Sequence, residues 1–192
     1  MNVSFPLGLT RALVVVAAIA AATPAGATVQ LSRDQALALA FPRARTEALS
    51  WVLTDSQARA VEQRARVKVR SKLLAATAGF RGDTLAGVAF FDSRTVRTMP
   101  GVFMVVVSPD TTIARIDVIA FHEPPDYRPP SRWLGLFPRR KLGDGLWAGR
   151  DIRNLSGASL SARAVTESAR LALAAYELVV APDLARRRSS VR

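Results

Sequence analysis

Val102-Phe103-Met104-Val105-Val106-Val107, then Ser108-Pro109-Asp110-Thr111-Thr112, then Ile113 to Phe121, is the stretch that decides the fold. The outer two runs are apolar and rich in β-branched residues, the composition of strands. The middle five carry turn chemistry: a proline that presets φ, and an aspartate whose side chain can bond the backbone two residues on. Together they predict an antiparallel hairpin. Leu85-Ala86-Gly87-Val88-Ala89-Phe90-Phe91 adds a further strand, and the strand pattern begins near Leu73. These runs are apolar on both faces instead of alternating with polar residues, so the sheet is expected to be covered on both sides. With helical patterns on either flank, the fold class is α+β: a partly antiparallel sheet covered by helices, a single domain after a signal peptide.

Upstream, Ser32-Arg33-Asp34-Gln35 and Thr54-Asp55-Ser56-Gln57 both fit a capping box, in which hydroxyl and glutamine bond each other's backbone amides. The first helix carries Ala36, Leu37 and Ala40 and stops near Pro42. The second places Ala58, Val61, Ala65 and Val69 on one face, with arginines elsewhere. Residues 28–80 therefore read as an N-terminal helical segment with a covering role. Residues 81–182 read as the binding domain, and 183–192, with Arg186-Arg187-Arg188, as a basic mobile tail.

The first 27 residues read differently. Arg11 precedes the apolar run Ala12 to Ala22, and Ala25-Gly26-Ala27 supplies an Ala-x-Ala cleavage site, the pattern of a secretory signal peptide. The run is short for a membrane span of about 20 residues, although an uncleaved anchor is the competing reading. A periplasmic or extracytoplasmic location follows as an expectation. The 192 residues are 49% hydrophobic, enough for one domain with a real core. They contain no cysteine, which excludes Cys-ligated iron–sulfur clusters and Cys-x-x-Cys-His haem attachment. An electron carrier built on this chain needs an organic cofactor.

The formal charge is +12, and removing residues 1–27, whose only charged side chain is Arg11, leaves +11. Only Lys68, Lys72 and Lys141 among the 27 basic residues are lysine, and the arginines are spread along the chain. We therefore expect no nucleic-acid partner. An exported cationic protein instead meets anionic lipid headgroups, so membrane-surface association is the expectation.

After the third strand comes His122-Glu123-Pro124-Pro125-Asp126-Tyr127-Arg128-Pro129-Pro130-Ser131-Arg132-Trp133, whose prolines predict a stiff extended loop. Ser131 can then cap a short helix through Trp133, Leu134 and Phe137. His122 is the only histidine, and no second histidine or cysteine completes a metal site with it. A hydrolytic triad of Ser159, His122 and Asp110 can be written, but no Gly-x-Ser-x-Gly elbow supports it. Gly143-Asp144-Gly145 is a turn and lacks the pattern of a phosphate loop.

Asn154-Leu155-Ser156-Gly157-Ala158-Ser159-Leu160-Ser161 runs into Ala162-Arg163-Ala164-Val165, and Val165, Ala169, Ala172 and Tyr176 continue at helical spacing, with Pro182 closing the helix. A small-residue loop thus delivers hydroxyls to a helix start, where unpaired amides and the helix dipole favour a phosphate. The plainer reading is that Ser159 or Ser161 is an ordinary N-cap.

Ser156 to Ser161, followed by Ala164-Val165 and a helix, resembles the Ser-Gly-Ala-Thr-x-Thr/Ser signature of the FMN-binding domain family. That family includes flavoprotein subunits of the Rnf and sodium-pumping NADH:quinone reductase complexes. The resemblance covers roughly Leu85 to Ala175. It implies FMN tethered by a phosphoester to Ser159, here a serine where the family usually has threonine, with Arg153 where an aspartate is common. It further implies that Ser156, Gly157, Ala158, Leu160 and Ser161 surround the cofactor, and that Glu123, Pro124 and Tyr127 of the Pro-rich loop lie near it. The implied partners are a flavin transferase for maturation and a membrane or extracytoplasmic redox protein. No side chain need act as acid or base and no metal is implied, so the protein reads as an electron carrier more than a stand-alone enzyme. A flavin-free extracytoplasmic binding module of the same fold is the alternative, and a hydrolase using Ser159 ranks last.

Overall fold

The computed structural model describes residues 28–29 and 31–189, together with Met1. The rest of the leader read in residues 1–27 lies outside the described residues. Among the described residues, no helix is long and apolar enough to cross a membrane.

The hairpin expected around Pro109 is present: β5 (Pro100–Val107) pairs antiparallel with β6 (Ile113–Phe121). Asp110 Oδ1 accepts from the amide and the hydroxyl of Thr112 and so closes the turn. Upstream, β2 (Arg45–Val52), β3 (Leu73–Arg81) and β4 (Thr84–Thr95) extend the sheet, and the two-residue β1 (Thr28–Val29) pairs with β6 at the other edge. The order is β1-β6-β5-β4-β3-β2, antiparallel throughout. From β2 to β6 each strand lies beside its neighbour in sequence.

The double-sided apolar pattern of β5 follows from the two-residue period of a strand. Phe103, Val105 and Val107 join the main core, whereas Met104 and Val106 join a smaller cluster on the opposite face. The smaller cluster is covered by α1 (Arg33–Ala40) through Ala36 and Leu37, with Phe41 beyond its end. Gly79 makes room for Phe41: a Cβ there would sit 2.5 Å from the Phe41 ring. The main core lies under α2 (Asp55–Ala65) and the long α4 (Ser159–Ala175). Both capping boxes form, at Ser32 with Gln35 and at Thr54 with Gln57.

Four expectations are corrected. Residues 28–80 are not simply helical, because β1, β2 and most of β3 arise there and pair into the same sheet. β2 contains Glu47, Ala48 and Leu49, helix-favouring residues; eight paired positions on β3 override that preference. α2 ends at Ala65, with Arg66 in the left-handed region at φ 56°, so Val69 belongs to the following loop. Ser131 does not cap α3 (Ser131–Leu134); it is the first helical residue, Pro130 holds the cap position, and Phe137 lies past the helix.

The fourth concerns the C-terminus. Pro182 does not close the helix. α4 continues through a π-helical turn (Tyr176–Val180) into α5 (Ala181–Ser189). The Ala181 amide donates to the Tyr176 carbonyl five residues back, and this wider turn accommodates a proline ring that would clash in a regular α-turn. Residues 183–189 are thus an ordered helix and not a mobile tail. Leu184 is buried, and Trp51 Nε1 donates to Asp183 Oδ2 at 2.9 Å. Residues 190–192 lie outside the described residues.

Candidate functional site at the start of the long helix

Gly157 adopts φ +77°, a conformation that only glycine takes without strain, and this bend turns the chain from the loop into α4. Nothing lies within 4 Å of where a Gly157 Cβ would stand, so the bend is open on its outer side. Ala158 occupies the cap position with its amide bonded to the Leu155 carbonyl at 3.0 Å. No side chain caps the helix, which overturns the plainer reading of Ser159 and Ser161 as N-caps. Ser159 is the first residue of α4 and is exposed, whereas Ser161, two residues on, is buried, its Oγ without a hydrogen-bond partner among the described residues. The amides of Ser159, Leu160 and Ser161 have no intrahelical acceptors, because that is what a helix start leaves over.

Ser159 stands between two cavities. One, of about 290 Å³, is lined by Arg97, Tyr127 and the loop from Gly157 to Ser161. The other, of about 400 Å³, is lined by Trp147, Ala148, Arg150, Asn154, Ser159 and Arg163. Exposed Ser156 precedes the bend, and Leu160 is exposed on the first turn. Three arginines from three segments, Arg97, Arg150 and Arg163, thus line the cavities at this helix start, and Arg163 is paired with Glu167 at 2.8 Å.

Of the Pro-rich loop, only Tyr127 lines either cavity; Arg97 lies over its ring at 4.9 Å from the centroid. Glu123 and Pro124 do not. Glu123 is buried, and its Oε1 accepts from the amides of Arg97 at 2.9 Å, Thr98 at 2.7 Å and Met99 at 2.8 Å. Those bonds, led by Met99, hold its carboxyl below the ordinary range. Glu123 thereby fixes the β4–β5 turn and sets Arg97 against the serine loop. Pro124 is exposed and supports the loop through its carbonyl, which accepts from the Tyr127 amide at 3.0 Å.

The second cavity depends on a buried cation. Arg170 of α4 is 1% exposed, and its Nε donates to the Ala65 carbonyl at 2.6 Å, its Nη1 to Gly143 at 2.7 Å and Leu146 at 3.2 Å. Burial, first of all, pushes its pKa down. The guanidinium lies over the Trp147 ring at 4.4 Å, and Trp133 Nε1 donates to the Arg153 carbonyl at 2.6 Å. The segment from Gly143 to Arg153, although mostly without regular structure, is thus held at both ends. Arg97, Trp147, Arg150 and Arg163 were not singled out from the sequence; the Gly143-Asp144-Gly145 turn before Leu146-Trp147 was the nearest signal.

The hydrolytic triad does not assemble. His122 is exposed at the end of β6, while Asp110, its carboxyl lowered chiefly by the Thr112 hydroxyl, sits before the strand's start. A nine-residue strand separates them, about 30 Å at 3.3 Å per residue. Among the described residues there is also no group of three or more His, Asp or Glu side chains that could hold a metal ion.

What the geometry defines is an α+β binding domain whose long helix offers its positive end, a hydroxyl and several guanidiniums to an anionic ligand. Residues 99–174 match the model of the FMN-binding domain family. That match supports a flavin-binding protein. No curated protein matches the chain. The residues present fit the phosphate end of FMN: an orphaned Ser161 Oγ, free helix amides, an unobstructed Gly157 bend and converging arginines.

Proposed function

We propose that the protein is an exported electron-transfer flavoprotein in which Ser159 carries FMN through a phosphoester. The observation that carries this reading is the position of Ser159: exposed on the first turn of a 17-residue helix that lacks a side-chain cap, and shared by two cavities. In the loading step the donor is a flavin adenine dinucleotide: Ser159 Oγ bonds to the phosphorus on the flavin side as the pyrophosphate P–O bond breaks and AMP leaves. The hydroxyl proton is released to a base of the transferase, and the product outweighs the apoprotein by FMN less water. The diester keeps one negative charge, which the amides of Ser159, Leu160 and Ser161 stabilise together with Arg97 and Arg163.

When bound, FMN supplies the redox chemistry, accepting and passing on electrons. The chain's own residues bind, orient and shield. Tyr127 and Trp147 each offer an aromatic wall in one of the two cavities that Ser159 lines, and Arg97 and Arg150 compensate negative charge. No side chain is required to move a proton. An exported carrier gains from the tether, because a dissociable flavin is lost by dilution outside the cell. The leader pattern in residues 1–27 supports export to the periplasm or its equivalent, and the excess of arginine suits contact with an anionic membrane surface. Its partners are then a flavin transferase and a membrane or extracytoplasmic redox protein. The family match favours this over a flavin-free module.

The deciding experiment is co-expression with a flavin transferase, denaturation, and inspection for in-gel flavin fluorescence with intact-mass measurement. Wild type is expected to gain one FMN less water, and Ser159→Ala to lose both signals. Flavin retained covalently on Ser159→Ala sinks the assignment of the acceptor.

A further inference from the structure

A larger cavity, of about 690 Å³, shares no lining residue with the two beside Ser159. Arg115, Ile116, Asp117 and Val118 all line it, and consecutive strand residues point to opposite faces, so it runs along the edge of β6 and not over one face. Leu31, ahead of α1, and Leu134 of α3 wall it from the two opposite sides of the sheet. This edge is paired only at its ends. Ile113 exchanges backbone hydrogen bonds with Arg139, at 2.7 Å, and Arg140, at 2.9 Å, and β1 covers Ala120 and Phe121. Among the described residues, no hydrogen bond joins the backbone of residues 114–118 to any segment but β5. Register shifts leave Ala114 and Ile119 without a counterpart on β5, which bounds the regular free edge to residues 115–118, about 13 Å at 3.3 Å per residue.

Every second residue of such a strand turns its N–H and C=O outward, and an extended segment is what pairs with them. Arg128, on the Pro-rich loop, adds a charge preference. It lines the cavity; its Nε is buried without a partner, and its two Nη atoms, equally unpartnered among the described residues, keep accessible surface. Burial lowers its pKa, with no charged neighbour to offset it. The other cation in the wall, Arg115, is already paired with Asp117 at 2.6 Å. The chain's formal charge of +12 points the same way, to an acidic partner.

We propose that this groove takes an acidic, extended segment of another protein, which adds a strand to β6 at residues 115–118 and places a carboxylate on Arg128. Main-chain pairing supplies the seat and the carboxylate the selectivity. The probe is a capped pentapeptide, acetyl-Val-Thr-Glu-Val-Thr-amide, titrated into the full chain and followed by backbone amide chemical shifts. It is expected to bind saturably, with shifts centred on Arg115 to Val118. Its glutamine analogue should bind about tenfold more weakly, the difference between a charge-assisted and a neutral hydrogen bond. Of two analogues N-methylated on alternate amides, in one phase or the other, one should keep its binding and the other lose it at least tenfold, because only one edge of the added strand faces β6. In Arg128→Gln the glutamate and glutamine peptides should bind equally. No saturable binding, shifts centred on Trp147, the same result from both methylated analogues, glutamine equal to glutamate on wild type, or glutarate alone binding as tightly as the peptide each overturns the proposal. So do shifts at the same amides that grow with protein concentration alone, which would make a second copy the occupant. If Arg128→Gln melts early, the peptide ranking on wild type still decides.

Discussion

Replacing Arg170 by methionine tests whether one buried cation organises the Trp147 side of the site. Methionine keeps an unbranched stem but removes every donor, leaving the carbonyls of Ala65, Gly143 and Leu146 without the bonds that Arg170 makes. Each buried acceptor left unpaired costs about 1–3 kcal/mol. Three such acceptors set the scale, and part of it is offset because the variant no longer desolvates a guanidinium, which leaves about 3–5 kcal/mol net. At about 2–4 °C per kcal/mol for a domain of this size, the melting midpoint should fall by roughly 6–20 °C. Thermal and urea denaturation followed by circular dichroism provide the measurement. Arg170→Lys keeps the charge but not the planar fork, so it should fall between the two. With the Gly143–Arg153 segment loosened, covalent flavin yield should also drop under matched expression. A destabilisation of Arg170→Met below about 1 kcal/mol would refute the reasoning, because the three bonds would then be worth no more than one exposed contact.

Further outcomes are expected at Glu123 and Gly157. Glu123→Gln should lower the hydrogen-exchange protection of the Arg97, Thr98 and Met99 amides at neutral pH; unchanged protection would mean that the turn does not rely on the carboxylate. In wild type the same group, held below its ordinary 4.5, contributes stability that is fully present above pH 4.5 and lost as the pH falls through its lower folded value, so protection should begin to decline below pH 4.5. Gly157→Ala puts a side chain at φ +77° where no neighbour obstructs it, so the cost should be backbone strain alone, about 1 kcal/mol. Urea midpoints and flavin loading read this out, and Gly157→Asn should fall closer to wild type because asparagine tolerates that region better.

The fold class was legible because its strongest signals are local. Val102 to Phe121 carries a hairpin in its own turn chemistry, and Ser32 and Thr54 announce helix starts through residues three positions away. β2 was not legible: Glu47, Ala48 and Leu49 favour a helix, and only pairing with β3, a distant partner, makes them a strand. The continuation past Pro182 was hidden for a related reason, since a π-turn is not encoded by spacing. At the site, the serine loop stood out by composition. Arg97, Trp147, Arg150 and Arg163 did not, because arginine is abundant throughout the chain and their convergence is set by Glu123 and Arg170, whose partners lie 24 or more residues away. Glu123 drew attention for proximity to the cofactor, yet its carboxylate is spent on a turn.

The strand order has a kinetic consequence. Because β2 to β6 pair nearest neighbours, the sheet can assemble hairpin by hairpin at small loop-closure cost as the chain emerges. Its inner face, bearing Phe103, Val105 and Val107, must then wait for the last third of the sequence: the Arg170–Ala65 bond spans 105 residues. Until α4 docks, that face is exposed and prone to aggregate. The acceptor hydroxyl, at the leading end of the same helix, acquires its setting only when the core closes, so completed folding and readiness for the flavin are one event.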